Sequence, residues 1–189
     1  MSKLLEIKYD QKQFDRIAQL LREIPNGVEK ASMRAINRAV TAGKTAMSKQ
    51  IRQRYTVSAA KVKGTVKMTK ASMSKLEGSV ESSGKPVALT HFKHSPNRDT
   101  TGANRKQIRV SVLKGGNRPL LTGFQSSRLA NNVFIRPGKG RKIKREFGPS
   151  VPQMAENHGT AAAIQDRMQE VMEQRLDHEI QQILAKGKA

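Results

Sequence analysis

The feature that most limits how this chain can fold is a stripe of small side chains. Val28, Ala31, Ala35, Ala39, Ala42 and Ala46 recur at intervals of three or four, with Ile36, Val40, Met47 and Ile51 beside them. That period is one face of a helix, and it predicts a single long helix over residues 28–54. Small residues let another backbone approach closely, so the stripe must be packed against something. The cations Lys30, Arg34, Arg38, Lys44, Lys49, Arg52 and Arg54 spread over the remaining surface. Large side chains to bury against it are scarce: the 189 residues hold no Trp, five Phe and two Tyr. A core this thin is expected to be completed by neighbouring copies or partners.

The elements on either side follow from local pattern. Residues 4–9 read as a short strand, and Asp10 with Gln13 matches a capping box for a helix carrying Phe14, Ile17, Leu21 and Ile24 on one face. Pro25-Asn26-Gly27 stops that helix. Ser58 is placed to cap a short turn ending at Gly64. Residues 65–69, 75–81 and 107–113 alternate in twos, as half-buried strands do. Residues 95–106, polar and holding Pro96 and Gly102, read as a mobile loop. Strands at 132–136 and 141–147 would flank Pro137-Gly138-Lys139-Gly140 as a hairpin. Residues 153–185 read as one closing helix. The class is α+β: a small antiparallel sheet packed with a long N-terminal helix pair and a long C-terminal helix. Residues 1–152 would form a basic α+β domain, and 153–189 a C-terminal helix that packs or assembles within it.

Charge is distributed unevenly. Residues 30–145 carry 27 Lys or Arg against three acids, a net of +24, whereas the flanks carry nine bases and 12 acids. Such a block attracts polyanions by releasing their counterions, whatever its fold. With no Cys, disulfides, thiolate metal sites and cysteine nucleophiles are excluded. The longest apolar run, residues 161–164, is too short to cross a membrane, and no secretory signal is visible near Met1.

No constellation for catalysis, cofactor or metal emerges. Gly43-Lys44-Thr45 resembles the end of a phosphate-binding loop, but Arg38 stands where the earlier Gly is needed and the segment lies inside a helix pattern. His91 and His94 lack a third ligand of suitable type and read as solvated side chains at a loop or strand end. His178, between Asp177 and Glu179, reads as a surface group. No carboxylate pair and no nucleophile elbow is present.

Two groups of residues remain as candidate functional surfaces. Arg136, Lys139, Arg141, Lys142, Lys144 and Arg145 would converge on the hairpin tip, facing DNA or an acidic partner. No aromatic interleaves them, so contact would be to backbone phosphates rather than stacked bases. Ile164, Met168, Met172, Leu176 and Ile180 give the closing helix an apolar face several turns long, expected to serve assembly.

The order of short motifs resembles a known family. Ile51-Arg52-Gln53-Arg54-Tyr55-Thr56-Val57-Ser58 ends the Ala-rich helix, and Lys63-Gly64 follows. Pro86-Val87-Ala88-Leu89 with Phe92, Leu121-Thr122-Gly123-Phe124 and Val133-Phe134-Ile135-Arg136 come next. Then come Gly148-Pro149-Ser150-Val151-Pro152-Gln153-Met154 and the closing Leu176-Asp177-His178-Glu179-Ile180. This arrangement resembles the minor tail protein Z family of phages and prophages, related to tail-completion proteins at the head–tail junction. The resemblance implies a structural virion protein rather than an enzyme, made in the host cytoplasm. It would assemble as a ring of six or twelve copies with other neck and tail proteins around the packaged DNA, supporting head–tail joining and DNA passage. The alternative from charge alone is a protein that binds nucleic acid non-specifically.

Overall fold

The computed structural model describes residues 2–7, 11–102, 106–138, 140–156 and 159–187. Among them are five helices and three antiparallel sheets of three strands each, so the class is α+β as expected. The chain divides into two compact units, called here terminal and central for their place in the sequence. The terminal unit comprises Ser2–Met47, Val66–Ser83 and Glu156–Ala189; the central unit comprises Ser48–Thr65 and Gly84–Ala155.

The terminal unit holds β1 (Ser2–Ile7), α1 (Gln11–Leu20), most of α2 (Gly27–Arg54), β2 (Val66–Thr69), β3 (Gly78–Ser83) and α5 (Thr160–Gly187). Its sheet runs β1-β3-β2, with Leu5 and Met68 both opposite Val80. Leu5, Ile7, Val66 and Val80 are buried, as the twofold period requires of one face. The small-residue stripe of α2 is buried at Ala31, Ala35 and Ala39, along with Ile36, Val40 and Met47. Two glycines show how closely the layers meet. A Cβ on Gly43 would lie 2.5 Å from Met168 Sδ, and one on Gly78 would lie 2.5 Å from Val40 Cγ2. Gly43 is thus a packing residue inside a helix, and Lys44 and Thr45 continue that helix. Asn37 fixes the loop after β2 by giving its amide to Ala71 O (3.2 Å) and accepting from Ala71 N (2.8 Å).

Two local expectations shift here. The first strand starts at Ser2 and ends at Ile7; Tyr9 and the proposed cap at Asp10 lie outside the described residues. Helix α1 closes at Leu20, and turns bonded from Leu21 N to Ile17 O and from Ile24 N to Leu21 O complete the segment. Ile17 and Leu21 are buried, as their spacing predicted.

The expected closing helix is two helices. Gly159 has φ +75, the left-handed region that halts a right-handed helix, and it separates α4 (Val151–Glu156) from α5. The first belongs to the central unit up to Ala155 and the second to the terminal unit. Ser150 and Gln153 cap α4 reciprocally: Gln153 N donates to Ser150 Oγ (3.4 Å) and Ser150 N to Gln153 Oε1 (2.9 Å).

The central unit is built from shorter pieces. It holds the end of α2, α3 (Ala59–Gly64), a sheet β4 (Lys93–Ser95), β5 (Ile108–Ser111) and β6 (Arg118–Leu120), and a sheet β7 (Gly123–Gln125), β8 (Val133–Ile135) and β9 (Lys144–Arg145). Ser58 caps α3 as expected, accepting from Lys61 N at 3.4 Å. Ile108 and Val110 of β5 are buried and Arg109 is exposed, matching the alternation read from the sequence. The stretch 95–106 is not loose throughout. Thr100 is buried, donating its N–H to Gln125 O and accepting from Gln125 N, both at 2.9 Å.

Candidate functional site

The end of α2 leads directly into a set of converging cations. Past the helix, Tyr55 forms a β-bridge with Leu113, and Thr56 N donates to Val112 O at 3.0 Å. The Thr56 hydroxyl donates to Ser111 O and accepts from Lys93 N at 3.1 Å, so one side chain ties the helix exit to both β4 and β5. Lys114 N donates to Arg54 O at 2.8 Å and the Ser111 hydroxyl to Gly116 O, closing the turn after β5. In the antiparallel register Lys93 lies opposite Ser111 and Ser95 opposite Arg109. Side chains two apart share a face, so Lys93 and Arg109 project from the side away from buried Ile108 and Val110.

Together these segments line a cavity of about 760 Å³ that includes Arg52, Lys93, His94, Arg109 and Lys114. Among the described residues no Asp or Glu lines it, and none of its Lys or Arg side chains forms an ion pair. His94 Nδ1 donates to Phe92 O at 2.9 Å, while its Nε2 is buried with no hydrogen-bond partner. Sequence reasoning had not singled out this cavity, because its residues come from three separated segments.

The hairpin is present but differs in detail from the expected convergence. Phe134 pairs with Arg145 and Ile135 with Lys144, and Glu146 N donates to Val133 O at 3.1 Å beside them. The Arg136 guanidinium lies 5.1 Å over the Phe124 ring, which stacks on Phe134, and Arg145 lies 5.2 Å over Phe147. These two cations, both exposed, lie over aromatic faces and are attracted there by the ring quadrupole. Arg141, Lys142 and Lys144 are exposed, and Lys139 lies outside the described residues.

The face of α5 expected to serve assembly is turned inward. Ile164, Met168, Met172, Leu176 and Ile180 are all buried, so the chain itself covers them. His91, in the turn Leu89–His91, has its proton affinity lowered by partial desolvation and then by the charges of Lys61 and Arg145, surroundings that also repel a metal cation. His178 is exposed on α5, and His158 lies outside the described residues. Among the described residues no three His, Asp or Glu side chains gather as a metal site, and no helix is long and apolar enough to cross a membrane.

Asp99 is the polar anchor of the central unit. Its Oδ1 accepts from Thr101 N (2.8 Å) and Oγ1 (2.5 Å), and its Oδ2 accepts from Ser127 N and Oγ (both 2.9 Å). The Thr101 hydroxyl foremost, then the Ser127 N–H, hold the carboxyl well below the usual carboxylate range.

No curated protein and no solved structure matches the chain. Residues 12–186 match the family described as prophage minor tail protein Z (GPZ). The chain belongs to that family, and is thereby placed among the structural proteins of the phage tail, in the virion and in the company of other tail proteins.

Proposed function

We propose that this minor tail protein assembles as a ring-like oligomer in the neck or tail, around the DNA channel, where it completes the tail for head–tail joining and DNA passage. It acts through structure and charge, without catalysis. The observation that carries this reading is the charge of the central unit. Its residues include 20 Lys or Arg against Asp99 and Glu146, a net of +18. A surface of that sign beside packaged DNA makes weak, sequence-blind contacts that exchange readily with counterions, and so holds a DNA end without blocking its exit. Arg136, Lys139, Arg141, Lys142, Lys144 and Arg145 of the hairpin are offered as DNA- or partner-facing.

The test is negative-stain imaging of particles assembled with and without the protein, followed by the triple reversal Lys139→Glu, Arg141→Glu and Lys142→Glu. Contact with DNA predicts that particles with the reversed hairpin form but fail to eject. Contact with an acidic neighbour predicts heads and tails left unjoined. Normal particles in the absence of the protein would end the reading.

A further inference from the structure

We infer that the basic cavity of the central unit is a backbone-phosphate site for nucleic acid, with Arg52, Lys93, Arg109 and Lys114 as its cations. This deepens the reading that the central unit faces DNA and rests on it. Four separated positions supply the charges: the last turn of α2, the start of β4, the middle of β5 and the turn that follows it. Thr56 and the Lys114–Arg54 backbone bond hold those positions on one scaffold, so four exposed cations rise from backbone fixed before any ligand arrives. Surface cations ordinarily lie among acids of opposite sign. Here, among the described residues, no carboxylate lines the cavity. Of the two acids in the unit, Asp99 is occupied by four hydrogen bonds.

A volume of about 760 Å³ suits a piece of nucleic-acid strand rather than a single small ion. Tyr55, the one Phe, Tyr or Trp among the described lining residues, is buried at 4% exposure, so it offers no platform for base stacking. The site therefore takes phosphates and ignores sequence. A protein could match it only with an uninterrupted acidic run, whereas every nucleotide of a strand brings a charge, one per about 3.4 Å of duplex axis.

The test measures binding of the full-length protein to fluorescein-labelled DNA, single-stranded and duplex, by anisotropy across a salt series. The cavity variant is Arg52→Gln, Arg109→Gln and Lys114→Gln. A charge-matched control removes three exposed or half-exposed cations of the same unit: Lys61→Gln, Lys85→Gln and Arg128→Gln. The cavity variant is expected to lose roughly tenfold or more in affinity and to lower the salt slope by about three, one per phosphate contact. The control should change the affinity several-fold less. Equal losses in the two variants would overturn the site while leaving the charged unit's affinity for DNA intact. If wild-type protein binds neither DNA, the proposed contact with DNA fails together with the site. Loss of polyglutamate binding with DNA binding retained would reassign the cavity to an acidic protein segment and overturn the proposal. Should the triple variant fail to fold, Lys114→Gln alone must lower the slope by about one.

Discussion

The two units of this chain reach stability by different means. Ile7, Ile17, Leu21, Ile36, Val40, Met47, Val80, Ile164, Met168 and Met172, all fully buried, belong to the terminal unit; the central unit has Ile51, Ile108 and Met154 with the smaller Val62, Val87, Val133 and Val151 to set beside them. The terminal strands β1 and β3 are six residues long, whereas the central strands are two to four. What the central unit lacks in apolar mass it makes up in polar knots: Thr56 across two strands, Thr100 with Gln125, Asp99 with four donors. The charges divide the same way, with 16 bases and 13 acids in the terminal unit, a net of +3, against +18 in the central one. Packing builds a unit that has only to stay folded; a unit crowded with one sign of charge is pinned instead by directional bonds that tolerate a wet, repulsive surroundings.

That contrast can be broken most severely through Met172. Met172→Asp places an unpaired carboxylate where the side chain is 0% exposed, and is expected to cost about 3–5 kcal/mol or more, unfolding the terminal unit. Denaturant unfolding checks it; a variant with an unchanged midpoint would mean that the α5 face is not part of a core. Gly78→Ala is next. Its Cβ would meet Val40 Cγ2 at 2.5 Å and Ile36 Cγ2 at 2.6 Å, both stiff branched side chains, so a loss of about 1–3 kcal/mol follows from overpacking. If the same substitution stabilised the protein, the sheet and α2 would be less tightly apposed than described.

The central unit should respond to acid where the terminal unit does not. The Asp99 carboxyl is held below its ordinary range in the folded chain, so its bonds stabilise the fold fully above about pH 4, the ordinary range of an unfolded aspartate. That stability is lost as the pH falls below this toward the folded group's own lower range. Hydrogen exchange at Thr101 N–H and Ser127 N–H should quicken, after allowing for the intrinsic pH dependence of exchange, while Val80 N–H stays protected. Asp99→Asn, which swaps an acceptor for a donor, should abolish the acid-dependent change. The smallest effect is expected at Arg34–Glu179, a 3.0 Å ion pair whose Arg side chain is 52% exposed. Glu179→Gln should cost below about 1 kcal/mol; a larger loss would show that charge matters to the terminal unit after all.

What the sequence disclosed follows the same division. The Ala stripe of α2, the capped turn at Ser58 and the alternation around Val110 were legible, because each is a local period or cap that tertiary structure did not override. Strands β4, β6 and β7 were not. Lys93-His94-Ser95, Arg118-Pro119-Leu120 and Gly123-Phe124-Gln125 carry no alternation and become strands only by pairing with neighbours. The break before α5 had a signal in Gly159, but the apolar spacing beyond it read as continuous with residues 153–156. The basic residues of the hairpin were found, whereas their differing surroundings on Phe124 and Phe147 were not. The cavity lay out of reach because three distant segments assemble it, and no spacing within any one of them marks it.

The nesting of the units fixes an order of events during synthesis. Every residue of the central unit precedes Glu156, whereas the terminal unit needs α5, which follows it in the sequence. Chains are made N-terminal end first, at about 5–20 residues per second. The central unit can therefore close while β1, α2, β2 and β3 still wait on the ribosome with Leu5, Ile36 and Val80 lacking α5. For those seconds the nascent chain exposes these apolar surfaces, until the 28-residue helix α5 emerges to cover them.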